Sequence, residues 1–307
     1  MQKHKILLTG GSGFLGRHVY DRLLGKNYSN IYIPRKVDYD LRNSSKCKDL
    51  FNNFKPDIAV HLAATCGGIG ANSRSPGTYF YDNLSMGLNI IEQARLHNIR
   101  KVVLIGTVCA YPKFCNIPFQ EKDIWSGYPE ETNAPYGIAK KALFVMLDAY
   151  QREYGLNSTV LIPSNLYGPY DNFEDHSSHV IPALIKKIDY ANKTGQKTVT
   201  IWGDGTPSRE FLYVDQAAQA IVKSIDINTG SSPINIGSGE EIRIKDLVDK
   251  LIEKMNFTGS IVWDKAKPNG QPRRCVSTKK AMSYLGWQNT IDIDTGLDMT
   301  LEWYNNA

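Results

Sequence analysis

Lys5-Ile-Leu-Leu-Thr-Gly10-Gly-Ser-Gly13-Phe-Leu-Gly16, running on into Arg17-His-Val-Tyr-Asp-Arg-Leu-Leu, constrains this chain more than any other stretch. An apolar run of strand character meets glycines at 10, 13 and 16, and a helical pattern follows. Glycines so spaced permit a tight turn, close approach of a pyrophosphate and close packing of helix on strand. The N-terminus of the following helix favours the phosphates' negative charge. Gly10, Gly13, Phe14, Leu15 and Gly16 are therefore expected to hold a dinucleotide. A glycine-rich turn by itself says little; between a strand and a helix it says much more.

The rest of the chain keeps the same alternation. Apolar runs at 31–34, 58–64, 101–106 and 158–165 are separated by helical patterns near 46–54, 79–97 and 136–154. That order implies a parallel sheet with helices on both faces. The expected fold class is α/β, a Rossmann-type doubly wound parallel sheet with a smaller α+β substrate-binding lobe. The segment Tyr167-Gly-Pro-Tyr-Asp-Asn is turn-rich, so the first domain is expected at 1–165 and the second at 166–307, with 212–238 returning to the first. Beyond the boundary the pattern suggests a helix near 180–194, a strand at 198–203 and short elements around 233–237 and 260–264. Asp215, ahead of Gln-Ala-Ala-Gln-Ala-Ile, reads as a helix N-cap.

Composition removes several classes of function. With 307 residues, 42% hydrophobic and 22% charged, the chain suits a soluble nucleotide-binding core plus a modest second lobe. A net charge of +5 without long basic runs favours anionic small molecules over nucleic acid. The five cysteines (47, 66, 109, 115 and 275) show no paired metal spacing, and their odd number argues against a disulfide framework. No metal is expected. No apolar stretch approaches the roughly 18 residues of a membrane span, and a cytoplasmic setting is expected.

Tyr136-Gly-Ile-Ala-Lys140 points to chemistry. Residues four apart share a helix face, so the Lys140 ammonium can stabilise a Tyr136 phenolate and lower its pKa. Thr107 closes the run Val102-Val103-Leu104-Ile105, where its hydroxyl can share a carbonyl oxygen with that phenol. Tyr-x-x-x-Lys on a surface helix is common by chance; beside a dinucleotide site it becomes equipment for hydride and proton transfer. Cys109, two residues past Thr107, stands where such a strand end meets the nicotinamide. His61, inside an apolar strand, reads as a satisfied core histidine, while Cys66 and Cys115 read as buried or incidentally exposed.

These features together resemble the extended short-chain dehydrogenase/reductase family, and within it the GDP-L-fucose synthases. The matching stretches are Ala63-Ala-Thr-Cys-Gly-Gly-Ile-Gly-Ala-Asn72, Gly106-Thr-Val-Cys-Ala-Tyr-Pro112, Glu131-Thr-Asn-Ala-Pro-Tyr-Gly-Ile-Ala-Lys140, Ser164-Asn-Leu-Tyr-Gly-Pro-Tyr-Asp-Asn-Phe173, Ser178-His-Val-Ile-Pro-Ala183, Trp202-Gly-Asp-Gly-Thr-Pro-Ser-Arg-Glu-Phe211 and Lys267-Pro-Asn-Gly-Gln-Pro-Arg-Arg274. The resemblance implies an NADPH-dependent epimerase/reductase that inverts C3 and C5 of a GDP-linked 4-keto-6-deoxymannose and reduces C4. Thr107, Tyr136 and Lys140 would serve the ketone oxygen, and Cys109 and His179 would carry protons on opposite faces of the sugar. Asn165, Val180, Lys187, Trp202, Arg209 and Lys267 would bind the GDP-sugar. The family also implies a homodimer paired through the helices near 79–97 and 136–154.

For the cofactor, Arg35 and Lys36 follow the second strand where NAD-specific folds place an acid, so a 2′-phosphate is expected and NADPH is favoured over NADH. Asp40 and Leu41 are expected beside the adenine, and Ala63 and Ala64 along the cofactor's middle. The chain departs from the family at Ser12, where many members have arginine, at Thr65 for lysine and at Val108 for serine. These leave open a 4-reductase or epimerase/reductase of a GDP-4-keto-heptose or another GDP-deoxysugar. A UDP-sugar 4-epimerase holding NAD shares Tyr136 and Lys140 but has no need of Cys109 or His179. A 4,6-dehydratase would want an acid just after Thr107. A redox-sensing binding protein without turnover would have no reason to keep Thr107, Tyr136 and Lys140 together.

Overall fold

The computed structural model describes residues 4–175, 177–267 and 269–307. Its first half runs β1 (Ile6–Thr9), α1 (Phe14–Gly25), β2 (Ile31–Tyr32), α2 (Ser44–Phe54), β3 (Ile58–His61), α3 (Ile69–Arg74), α4 (Pro76–Leu96), β4 (Lys101–Ile105), α5 (Ala134–Tyr154) and β5 (Ser158–Pro163). The second half runs β6 (Asn165–Tyr167), α6 (Val180–Thr194), β7 (Thr198–Trp202), β8 (Ser208–Tyr213), α7 (Val214–Ile225), β9 (Ile234–Ile236), β10 (Glu241–Arg243), α8 (Ile244–Lys254), β11 (Ser260–Asp264), α9 (Lys279–Leu285) and α10 (Ile293–Asn306).

Six strands form one parallel sheet in the order β2-β1-β3-β4-β5-β9. Side chains alternate across a strand, so each strand feeds two cores. Leu7, Val102 and Leu104 meet Phe51, Ile90, Leu143 and Phe144 on the face of α2, α4 and α5. Ile6, Leu8, Val103 and Ile105 meet Val19, Leu23, Ala217 and Ile221 on the face of α1 and α7. Burial on both faces explains why these strands read as continuous apolar runs rather than alternating ones.

From β1 the chain moves outward to β2, then returns past β1 to lay β3 on its other side. Such a reversal opens a crevice at the carboxyl ends of the two strands, where doubly wound sheets bind ligands. The glycine loop follows β1 and Ala63-Ala64 follows β3, so both lie at that crevice.

The smaller lobe holds a three-stranded sheet, β10-β8-β6, and the parallel pair β11-β7. Ile181, Ile185, Leu247, Leu251 and Leu297 cover them with α6, α8 and α10. The run expected as one strand at 158–165 breaks at Ser164, because Asn165–Tyr167 leaves the large sheet to pair with β8. α7 and β9 pack in the larger sheet's layers. Val276, Ala281, Leu285 and Trp287, all within the stretch expected to belong to the second lobe, are also buried in the two large-sheet cores. Asp215 is not an N-cap: Tyr213 holds that position, and Asp215 sits in the first turn of α7. Its carboxylate accepts from Arg22 Nε at 2.7 Å, which ties α7 to α1.

Candidate active site

A cavity of about 1180 Å³ opens along the carboxyl ends of β1, β3, β4 and β5 and continues beneath α6 and β8. A single ligand pocket commonly measures about 300–1,000 Å³, so this one has room for two bound molecules.

One end is built by the glycine loop. Gly10 has φ +72°, and a Cβ there would stand 2.7 Å from the backbone N of Ala63. A Cβ on Gly16 would stand 2.1 Å from the Gly10 carbonyl oxygen, so this turn closes only on glycine. Gly13 is the N-cap of α1 without a side-chain cap, and no acid occupies the first turn. The N–H groups of Phe14, Leu15 and Gly16 thus head an uncapped helix at the cavity wall, which suits a pyrophosphate. The residues there fit a dinucleotide. Arg35 and Lys36 line the same cavity with exposed side chains, and neither forms an ion pair among the described residues.

Asp40, Leu41, Ala63 and Ala64 line it too. Asp40 is committed to Arg42, whose guanidinium holds the carboxyl at about 2. Arg42 also reaches Asp82 at 3.2 Å, and Asp82 accepts from the Thr65 hydroxyl at 3.0 Å. This network joins the loop after β2 to the loop after β3, a tie that no local motif in the sequence announces. Beneath it, Thr9 Oγ1 lies 2.7 Å from His61 Nδ1 and accepts from the Ala63 N–H at 3.3 Å. His61 is only half satisfied, since its Nε2 has no partner among the described residues; burial lowers it to about 3, so it stays neutral.

The reactive groups meet midway along the cavity. Thr107 caps a short 3-10 turn, Val108–Ala110, with Oγ1 accepting from the Cys109 N–H at 3.2 Å. α5 lies directly on that turn: a Cβ on Gly137 would stand 2.2 Å from the Cys109 carbonyl oxygen. The glycine after Tyr136 lets α5 lie on that turn, which brings the phenol beside the Thr107 hydroxyl. Lys140 is buried, with Nζ donating to the Ile105 carbonyl at 3.0 Å, and burial lowers it to about 8. The Tyr136 phenol is pushed well up by burial, helped by the Cys66 and Cys109 thiols and opposed by the Thr107 hydrogen bond. That is opposite to the direction expected from Lys140, whose Nζ is given to the Ile105 carbonyl and does not contribute to the phenol's shift. Cys66, expected to be incidental, also lines this wall, whereas Cys115 does not. His179, the N-cap of α6, faces the same space.

The far end is cationic. Arg209 and Arg274 both line it, and burial together with the Arg274 charge lowers Arg209 to about 10. Arg209 donates to the Ser208 and Asn269 carbonyls at 2.7 and 3.3 Å, and Arg274 is braced by Gln271 Oε1 at 2.6 Å. Lys187 donates to the Thr200 carbonyl at 2.9 Å, and Asn165 donates to that of Glu210 at 2.7 Å. Val180 and Trp202 line the wall, the latter 59% exposed and so no core residue. Lys267 does not line the cavity; its Nζ sits 5.4 Å over the Trp202 ring. Arg274 and Gln271 went unassigned in the sequence, although the 267–274 stretch that carries them was among the matching motifs.

The model of the NAD dependent epimerase/dehydratase family matches residues 6–237. A probable GDP-L-fucose synthase of Oryza sativa subsp. japonica is 36% identical over 301 residues, covering 98% of this chain and 92% of that protein. The structure of a GDP-L-fucose synthetase from Naegleria fowleri bound to NADP superposes with a TM-score of 0.90 at 27% identity, covering 100% of this chain and 95% of that one. A GDP-6-OMe-4-keto-L-xylo-heptose reductase from C. jejuni superposes with a TM-score of 0.91 at 26% identity, covering 100% and 99%. The chain belongs to the NAD dependent epimerase/dehydratase family, in the group of the GDP-L-fucose synthases.

Proposed function

We propose that this protein is an NADPH-dependent epimerase/reductase that converts GDP-4-keto-6-deoxymannose to GDP-L-fucose, working as a homodimer in the cytoplasm. The carrying observation is that Thr107, Cys109, Tyr136, Lys140 and His179 share one cavity with a glycine cradle at one end and Arg209, Arg274 and Lys187 at the other. Relatives named for the same reaction support the reading.

A ketone at C4 acidifies the protons at C3 and C5, because the resulting carbanion spreads onto the ketone oxygen. Thr107 and Tyr136, side by side at the cavity wall, donate to that oxygen as it gains charge. Cys109 and His179 take and return protons on opposite faces, which inverts each centre. Bound NADPH supplies a hydride for C4. Tyr136, whose burial keeps it protonated, gives its proton to O4, and buried Lys140 offsets the charge left behind. Arg209 and Arg274 hold the substrate pyrophosphate, while Arg35 and Lys36 take the cofactor's 2′-phosphate.

The test is oxidation of NADPH by the purified protein with GDP-4-keto-6-deoxymannose, run beside NADH and a GDP-4-keto-heptose. Rapid oxidation of NADPH with the 6-deoxy sugar is expected. Oxidation with the heptose alone would move the substrate to that of the heptose reductases, and no oxidation with either would overturn the reading.

A further inference from the structure

Asp171 stands behind His179, and no step above uses it. Its side chain is 2% exposed. Oδ1 accepts the N–H of Asn172 at 2.7 Å, but Oδ2 is buried with no hydrogen-bond partner among the described residues. A carboxylate taken out of water and left half satisfied is costly, and folds retain such groups where another group uses the charge.

His179 is within ion-pair distance of that carboxylate, its Nδ1 lying 3.7 Å from Asp171 Oδ1. A small rotation of the ring turns that ion-pair distance into a hydrogen bond, and catalytic contacts are often loose until substrate binds. Although His179 is the N-cap of α6, its side chain makes no capping bond, so the ring is free to answer to the carboxylate. The ring is 46% exposed and lines the cavity, while Asp171 is closed off behind it.

The turn that aims Asp171 inward is itself constrained. Gly168 has φ +141° and Tyr170 φ +68°, a left-handed conformation that costs a bulky residue energy. Surrounding contacts hold it there: the Arg17 guanidinium lies 4.8 Å over the Tyr170 ring, and His18 and Trp303 lie 5.9 and 5.2 Å away. Arg17 and His18 belong to the helix that follows the glycine loop, so the cofactor end of the fold supports the turn carrying Asp171.

We infer that Asp171 is a positioning residue for His179: its carboxylate accepts the Nδ1 proton, fixes the ring plane and leaves Nε2 as the one nitrogen that exchanges a proton with the sugar. Which ring nitrogen carries the proton is set by the partner of the other, so removing this partner should change the tautomer. The inference rests on the epimerase/reductase reading, in which His179 moves a proton.

Two readouts test it in the full-length protein. Histidine 15N NMR without nucleotide or substrate, at a pH where imidazoles are neutral, should show His179 as the Nδ1–H tautomer, with its resonance identified by loss in His179→Gln. In Asp171→Asn the amide can turn its NH2 to Nδ1, so the Nε2–H tautomer should replace it. Deuterium incorporation from solvent into the sugar should fall about 10²–10⁴-fold in the same variant, with NADPH affinity retained and partial rescue in Asp171→Glu. An unchanged tautomer or unchanged deuterium incorporation in Asp171→Asn would overturn the inference. Loss of NADPH binding and of thermal stability in both Asp171 variants would also overturn it, by making Asp171 a support of the fold alone. Wild-type deuterium incorporation in His179→Gln would instead remove His179 from the proposed mechanism, while the tautomer would still report on Asp171.

Discussion

At Tyr136 a proton is kept by desolvation and released by geometry. Burial pushes the phenol well up, and the Thr107 hydrogen bond opposes that push only partly. A phenol in this state donates strongly to an oxygen that is gaining charge and has little tendency to ionise beforehand. Tyr136→Phe keeps the ring and removes the donor, so hydride transfer to C4 should slow about 10²–10⁴-fold. NADPH affinity, measured by fluorescence titration, should change little. A variant that reduces at the wild-type rate would show that another group protonates O4. How much a sequence discloses also differs from residue to residue. Gly16 was legible because its constraint is local, the Gly10 carbonyl within the same seven-residue turn. Gly137 was not, because its constraint is the Cys109 carbonyl of a distant turn. Asp171 and Arg274 were hidden for the same reason: each acts on a side chain that only the fold brings near.

Among the elements, β8 is the junction of the two lobes, and Glu210 is its fastening. This side chain is fully buried, with Oε1 accepting from the Gly239 N–H at 2.7 Å and Oε2 from the Val276 N–H at 2.8 Å. Those bonds join β8 to the turn after β9 and to the returning segment near 276. Burial nonetheless raises the carboxyl from 4.5 to about 7. A group raised on folding adds stability that is complete below its unfolded value and lost as the pH climbs through its folded value. Wild-type stability should therefore fall between pH 4.5 and pH 7 by on the order of 3 kcal/mol from this group. Glu210→Gln cannot titrate, so the melting temperature of the wild type minus that of the variant should shrink across the same window. A difference independent of pH would show that Glu210 stays ionised. Element boundaries were least legible where tertiary contacts decide them. α10 contains Gly296, a poor helix former, because a Cβ there would stand 2.0 Å from the Tyr167 hydroxyl. In the sequence Asn165 reads as the end of β5, because only its pairing with β8 makes it the start of a separate strand, β6.

For the whole molecule, the outward faces of α4 and α5 carry exposed apolar side chains. The two helices pack side by side, and Tyr81 and Leu88, two turns apart on α4, face solvent together with Val145 of α5. A second copy of this chain is the proposed cover. Light scattering should report a dimer for the wild type and a monomer for Leu88→Glu, since an unpaired charge in an apolar interface is costly. A monomeric wild type would contradict the proposal. At this scale the parallel sheet, the glycine loop and the Tyr136/Lys140 face were readable in the amino acids alone, since each depends on local spacing. The meeting of a cofactor cradle, a proton-transfer group and a cationic end in one cavity depends on the sheet order, which spacing does not contain. On the proposed mechanism this one cavity both epimerises and reduces. The direct measurement is turnover of GDP-4-keto-6-deoxymannose with NADPH in deuterated water, with proton NMR of the product. GDP-L-fucose carrying deuterium at both C3 and C5 is expected. A reduced product with protium at both positions would contradict it and leave a simple C4 reductase.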